Sequence, residues 1–161
     1  MIKQFTQEID KLLGKDMNDP HLQALLDDLQ AIGPLETNPD SGGVYVERPA
    51  LGFCLLLKDP SRILNPLYSD RQSDGPILTT CFYYSEGHAG YSQFSGELPA
   101  GVLFTDGRAE VAAKLGEPSW KREKNGRIVA EKWLTNGRSI HLTYSKNQGI
   151  LILAFGIPQD F

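Results

Sequence analysis

Cysteine is scarce in this chain: 161 residues contain two, Cys54 and Cys81. Each sits inside an apolar run, "LGFCLLL" and "ILTTCFYY", so both read as buried free thiols behaving as small hydrophobes rather than as a disulfide or a reactive pair. Histidine is nearly as rare, and His21, His88 and His141 lie too far apart in sequence to form a local metal motif. HExxH, CxxC, the GxSxG serine elbow and the GK[ST] phosphate loop are all missing, which removes the enzyme classes that those motifs mark. Long apolar runs are missing too. The longest near the end, "ILILAFGIP", is strand length, well short of the roughly 18 residues of a membrane span. "MIKQFTQEIDKLLGK" carries charges where a secretory leader would be apolar, and no lipidation pattern opens the chain. The expectation is a cytoplasmic protein with no membrane partner.

Basic residues are few at the front and acidic ones few at the end. Residues 1–60 carry ten acids and five bases, residues 61–120 seven and four, and residues 121–161 three and seven, within a net charge of -4. Overall acidity argues against a general nucleic-acid binder, so no direct nucleic-acid partner is expected. An acidic front suits a basic protein partner, although ordinary solvated charge gives the same count. At the other end, "WKREKNGR" with Lys132 and Arg138 forms a small candidate anion patch. Trp120 and Trp133 offer stacking surfaces there, but Glu123 and Glu131 interrupt the patch, and a solvated hairpin explains it as well.

What is present is clear periodicity. Phe5, Ile9, Leu12 and Leu13 follow helical spacing, ended by Gly14. Asp19 is an N-cap with Pro20 at the first helical position, and Leu22, Leu25, Leu26 and Leu29 make the apolar stripe behind it, stopped by Gly33 and Pro34. "VYVE" and "LGFCLLL" are strands separated by "RPA". "RILNPLYS" is a weak strand, demoted to an edge or irregular position by Pro66. "ILTTCFYYSE" is a better one, and "EGHAGYSQFSGELPAG" is loop. A helix spans Arg108 to Leu115, with Val111, Ala112 and Leu115 able to face the core. "RIVAEKWL" and "RSIHLTY" are strands joined by the strong hairpin signal "TNG". Ile140, Leu142 and Tyr144 alternate with Ser139, His141 and Thr143. "ILILAF" is apolar on both faces, which predicts a central strand covered on both sides.

The order helix, Gly and Pro stop, then strand pair occurs twice. The first copy runs from "LQALLDDLQAIGPLE" to "VYVERPALGFCLLLK", the second from "RAEVAAKLGEPSW" to "IVAEKWLTNGRSIHLTYSK". It predicts an α+β fold, an antiparallel sheet with helices on one face, built from two pseudo-repeated modules. The whole chain, 1–161, suits one compact domain, with 1–95 and 96–161 as candidate subdomains. Within "GRAEVAAKLGEPSW", Gly107 caps the helix, Glu110 reaches back to its free amides, Gly116 closes it and Pro118 prevents continuation. Every part of that stretch has a scaffold role.

The segments "SGELPAGVLFTDGRAEVAAKLGEPSW" and "WLTNGRSIHLTYSKNQGILILAF", behind a front beginning "KLLGKDMNDPHLQALLDDL", resemble a bacterial family of small cytoplasmic proteins, the immunity proteins of polymorphic and contact-dependent toxin systems. The resemblance implies binding and neutralisation of a cognate toxin's C-terminal domain. The helix-loop-strand unit also resembles the tandem modules of β-lactamase inhibitor proteins and of small lipoproteins of outer-membrane assembly. This chain has glycine at 107 where that motif usually has serine.

Catalytic candidates are thin. A Cys81–His88 pair needs an exposed thiol, and "TTCFYY" argues for a packed one. Asp27 and Asp28 are adjacent on a helix and diverge around its axis. Asp16 and Asp19 lack calcium-loop spacing. No catalytic, cofactor or metal residues are therefore expected. If the toxin is a cationic nuclease, Asp27, Asp28, Glu36, Asp40 and Glu47 would mimic phosphates, with Tyr84, Tyr91 and Phe94 as aromatic anchors. The alternative from another class is a regulatory or assembly adaptor that binds an endogenous protein.

Overall fold

The computed structural model describes residues 4–31, 38–73 and 75–159. Two helices come first, α1 (Phe5–Leu12) and α2 (Pro20–Asp28). Gly14 turns the chain out of α1 at φ 85°, and its N–H donates to the Leu78 carbonyl at 2.7 Å. Asp19 caps α2 as its sequence position demands, its Oδ1 accepting from the His21 and Leu22 amides at 2.8 and 3.2 Å. The helix ends at Asp28. Gly33 and Pro34, the expected stop, lie outside the described residues.

Strands β1 (Gly43–Arg48), β2 (Phe53–Lys58) and β3 (Ile77–Tyr84) follow, with α3 (Pro66–Ser69) between the last two. The "RILNPLYS" segment is thus not an edge strand. Asn65 Oδ1 accepts from the Leu67 amide at 3.1 Å and Pro66 takes the first helical position, so the proline starts a helical turn. A crossover from Ser85 to Ser119 carries α4 (Arg108–Leu115) and leads to a meander of β4 (Trp120–Lys124), β5 (Arg127–Thr135), β6 (Arg138–Tyr144) and β7 (Ile150–Gly156). Both of its first two hairpins turn on Asn-Gly. Asn125 and Gly126 have φ 54° and 77°, and Asn136 and Gly137 have φ 51° and 74°. Positive φ at both central residues matches the twist of the flanking strands.

The strands form one antiparallel sheet in the order β1-β2-β3-β7-β6-β5-β4. The fold is α+β, and both halves of the chain feed one sheet through the β3–β7 pairing. β7 is the central strand, as its apolar sequence predicts. It is not covered on both sides, because Ile152 and Ala154 remain partly exposed.

One face of the sheet carries the core. Val46, Phe53, Leu55, Cys81, Tyr83, Leu142, Leu153 and Phe155 alternate onto it and pack with Phe5, Ile9, Leu22 and Leu26 from the helices. Trp133 is also on this side, 2% exposed, with its indole N–H donating to the Gly116 carbonyl at 3.0 Å. It is therefore core and not a stacking surface. The glycine that closes α4 thus receives a tether from the sheet. Val111 is the buried residue of α4, whereas Ala112 is exposed.

The crossover helix is also held by charge. Arg108 donates Nε and a terminal nitrogen to the two Glu131 oxygens at 3.1 and 3.0 Å, and Tyr144 donates to the same carboxylate at 2.8 Å. Lys114 meets Asp106 at 2.6 Å; although burial opposes ionisation of the Asp106 carboxyl, the Lys114 bond holds its pKa below the usual value. Glu131 is buried on a β-strand and Arg108 is partly solvated. Arg108→Met strands a carboxylate and should lower stability by about 3 kcal/mol, whereas Glu131→Gln, which keeps an acceptor for Tyr144, should lose about 1 kcal/mol. Urea unfolding of the two variants checks that order.

Candidate functional site

The face opposite the helices follows from period-two alternation and the register. One row of side chains crosses all seven strands: Trp120, Lys132, His141, Ala154, Phe82, Cys54 and Glu47. A second row beside it runs Leu134, Ser139, Gly156, Thr80, Leu56 and Tyr45. Tyr45, Leu134 and Trp120 are 59%, 56% and 41% exposed. Between the ends lies a trough of about 210 Å³ floored by Ala154 and Gly156, with Phe82 and Leu56 on one side and His141 and Lys132 on the other. Gly156 sits so close to its neighbour that a Cβ there would lie 2.4 Å from the Thr79 carbonyl oxygen.

The β1–β3 end is aromatic. Tyr84 and Tyr91 stack at 3.8 Å with 15° between their planes, and His88 stacks on Tyr84 at 6.3 Å. Tyr91 donates its hydroxyl to Glu47 Oε1 at 3.3 Å. Burial pushes the Cys54 thiol up to about 11, helped by the nearby Glu47 charge, and burial likewise raises the Tyr91 phenol. The loop carrying Tyr91 wraps around the strand ends: Tyr91 lies on the open face, while Phe94, three residues on, enters the core on the other.

The β4–β6 end is basic. Trp120 stacks on His141 at 5.7 Å, and Lys132 Nζ lies 5.9 Å from the Trp120 ring centroid. The His141 pKa is lowered by burial first, then by the Lys132 and Arg122 charges facing it.

The anticipated site residues divide between layers. Glu47, Tyr84 and Tyr91 meet on the open face. Asp27 and Asp28 are exposed on α2, in the helical layer, and Asp40 is exposed in the turn before β1. Glu36 lies outside the described residues. Phe94 is 2% exposed and packs with Phe5, Phe53 and Tyr83, so no partner touches its ring unless the loop opens. The two tyrosines at 83 and 84 split as alternation requires, Tyr83 fully buried and Tyr84 half-buried. Tyr45 was available from the same alternation in "VYVE", which turns Tyr45 and Glu47 to one side.

Elsewhere the chemistry is structural. Cys81 is on the core face, and burial raises its thiol well above the ordinary range. His88 stacks on Tyr84 on the opposite face, so Cys81 and His88 are not brought together. Both cysteines are buried free thiols. Among the described residues no three His, Cys, Asp or Glu side chains converge on a metal-sized site, and no helix is long and apolar enough to cross a membrane. An open cleft of about 1010 Å³ lies between the loops at 93–98 and 101–105, and Glu97 is its titratable lining group. No family model, curated protein or solved structure matches the chain.

Proposed function

We propose that the chain is a noncatalytic immunity protein that seats the C-terminal domain of a bacterial toxin on the open face of its sheet and blocks the toxin's working surface. The observation that carries this reading is the face itself. It presents Tyr45 and Trp120 near opposite edges, a half-buried Tyr84 backed by Tyr91, itself 5% exposed and bonded to Glu47, and a trough between them. Exposed aromatics around a shallow concavity are the residue types that dominate binding energy at protein interfaces. A rigid sheet presents them with little ordering entropy to lose. The resemblance of the "GRAEVAAKLGEPSW" and "WLTNGRSIHLTY" segments to immunity proteins supplies the toxin as the partner.

The test is growth of cells expressing the toxin domain encoded by the adjacent gene, with and without this chain, joined to purification of the pair. The reading expects rescue and a stable complex. Killing that the chain does not relieve contradicts it and moves the protein to the adaptor class.

A further inference from the structure

We propose that the outer edge of β4 takes an extended acidic segment of the partner protein as a further strand of the sheet, with carboxylates at alternate positions meeting Arg122, Lys124 and Arg127. This rests on the reading of the chain as a protein-binding module, and it names the form and the charge of what binds beside the open face.

The sheet ends on β1 at one side and on β4 at the other, and the two edges differ in their main-chain groups. On β1, the Asp59 amide donates to the Gly42 carbonyl at 2.8 Å, so alternation points the groups of Gly43, Tyr45 and Glu47 outward. The chain closes part of that edge itself. The Gly43 carbonyl accepts from the Asn38 amide at 3.0 Å, and the Glu47 carbonyl accepts from the Arg48 guanidinium. On β4, Lys124 and Arg127 flank the two-residue Asn125-Gly126 turn and so form its hydrogen-bonded pair. Alternation then points the N–H and C=O groups of Lys121 and Glu123 outward. Among the described residues, no group of the chain bonds to them.

Side chains set the charge of the occupant. Trp120, Arg122 and Lys124 alternate onto the open face, and the register puts Arg127 directly opposite Lys124. All four are exposed, and among the described residues none of the three cations is in an ion pair. The nearby acids are on the other side of the sheet. Glu131 is held there by Arg108 and Tyr144, and Glu123 alternates to that side with it. Lysine on an outer strand is ordinary edge protection. Arg127 is different, because it starts an inner strand where no edge needs protecting. Like charges directly opposite each other destabilise a strand pair, and a carboxylate laid beside Lys124 relieves that repulsion.

The same cations select against other occupants. A second copy added through β4 sets cations beside cations, which disfavours self-pairing. A nucleic acid answers the charge but offers no ladder of N–H and C=O groups to the edge, and the chain as a whole is acidic, with net charge -4. An acidic extended segment matches the side chains and the main chain together.

The site is tested by titrating the full chain with a short capped peptide of alternating Glu and Thr, the same peptide N-methylated at every amide, a Lys–Thr peptide of equal length, and oligothymidylate. Amide hydrogen exchange followed by NMR is the readout. Saturable binding of the Glu–Thr peptide is expected, with exchange of the Lys121 and Glu123 amides slowed about tenfold or more. Affinity should fall about tenfold or more in Arg122→Glu/Lys124→Glu and stay unchanged in Asp27→Lys/Asp28→Lys. Glu123→Pro covers the case of an unstable double variant. It removes an outward N–H and an acid at once, so strand addition predicts weaker binding where charge alone predicts tighter. No binding, equal binding of the Lys–Thr or N-methylated peptide, or unaltered exchange at the two amides overturns the site, and preference for oligothymidylate overturns it in favour of nucleic acid. The toxin-growth assay separates the two proposals. Rescue without peptide binding keeps the immunity reading and defeats the β4 site. Peptide binding without rescue keeps the site and moves its partner to the adaptor class.

Discussion

Phe94→Ala should lower the folding stability by about 4 kcal/mol. The ring is at the centre of an aromatic cluster, with centroids 4.8 Å from Tyr83, 5.7 Å from Phe5 and 6.4 Å from Phe53. Truncation leaves a cavity among three further rings on α1, β2 and β3, none of which collapses easily because each is fixed by its own strand or helix. Edge-on and tilted contacts add roughly 1 kcal/mol per pair beyond buried area. Gly96 belongs to the same arrangement, since a Cβ there would lie 2.7 Å from the Phe94 ring. Chemical denaturation gives the energy, and near-ultraviolet circular dichroism reports the loss of aromatic order. The change should also loosen Tyr91, because the Phe94 amide donates to the Tyr84 carbonyl at 3.0 Å and closes the loop onto β3. A variant of unaltered stability that had lost partner binding would make Phe94 a contact residue instead.

Gly52→Ala should be comparably damaging, about 3 kcal/mol or more, through the backbone alone. Gly52 has φ 82°, and an added Cβ would lie 2.4 Å from the Phe94 nitrogen, 2.6 Å from the Ser92 oxygen and 2.7 Å from the Phe94 Cα. These are main-chain atoms pinned by the Ser92 to Pro49 and Phe94 to Tyr84 hydrogen bonds, so they cannot swing aside. Gly87 is the matched control. Its φ is 78° and a Cβ would meet nothing within 4 Å, so Gly87→Ala pays only the left-handed strain of about 1 kcal/mol. Equal unfolding midpoints for the two alanine variants would show that close approach is not what Gly52 provides. The Gly52 and Phe94 effects should be less than additive, because both release the same segment.

Much of this architecture was written locally. Asp19-Pro20 fixed the start of α2, Asn136-Gly137 fixed the β5–β6 hairpin, and the alternation in "RSIHLTY" assigned each β6 side chain to its face. Those features depend on neighbours in sequence. What failed depended on distant residues. Asn65-Pro66 looked like a broken strand until the Asn65 side chain and amide met the 158–159 tail. "ILILAF" indicated a centre but not which face lay open, since both faces are apolar while the helices cover one. Trp133 looked like a second stacking surface beside Trp120 because the two share a basic segment, yet alternation and the Gly116 carbonyl take it to the core.

The site was legible in pieces. Glu47, Tyr84 and Tyr91 are far apart in sequence and gather through the β1–β2–β3 pairing. The acidic residues at 27 and 28 were grouped with Glu47 by charge, but the sheet separates them, because α2 packs on the helical face while Glu47 alternates to the other. Net charge along a chain carries no information about which face a residue occupies. Register does, and it places Trp120 and Lys132 in the same row as Glu47 across seven strands.

The measurement that bears most directly on the central claim is the calorimetric affinity of the purified toxin domain for two surface variants of equal folding stability, Tyr45→Ser on the open face and Asp27→Lys/Asp28→Lys on the helical layer. Binding through the open face predicts about a tenfold to hundredfold loss for Tyr45→Ser and a change within about twofold for the aspartate pair. The reverse order, with the aspartate variant losing affinity and the tyrosine variant keeping it, would contradict the account and put the interface on the helices.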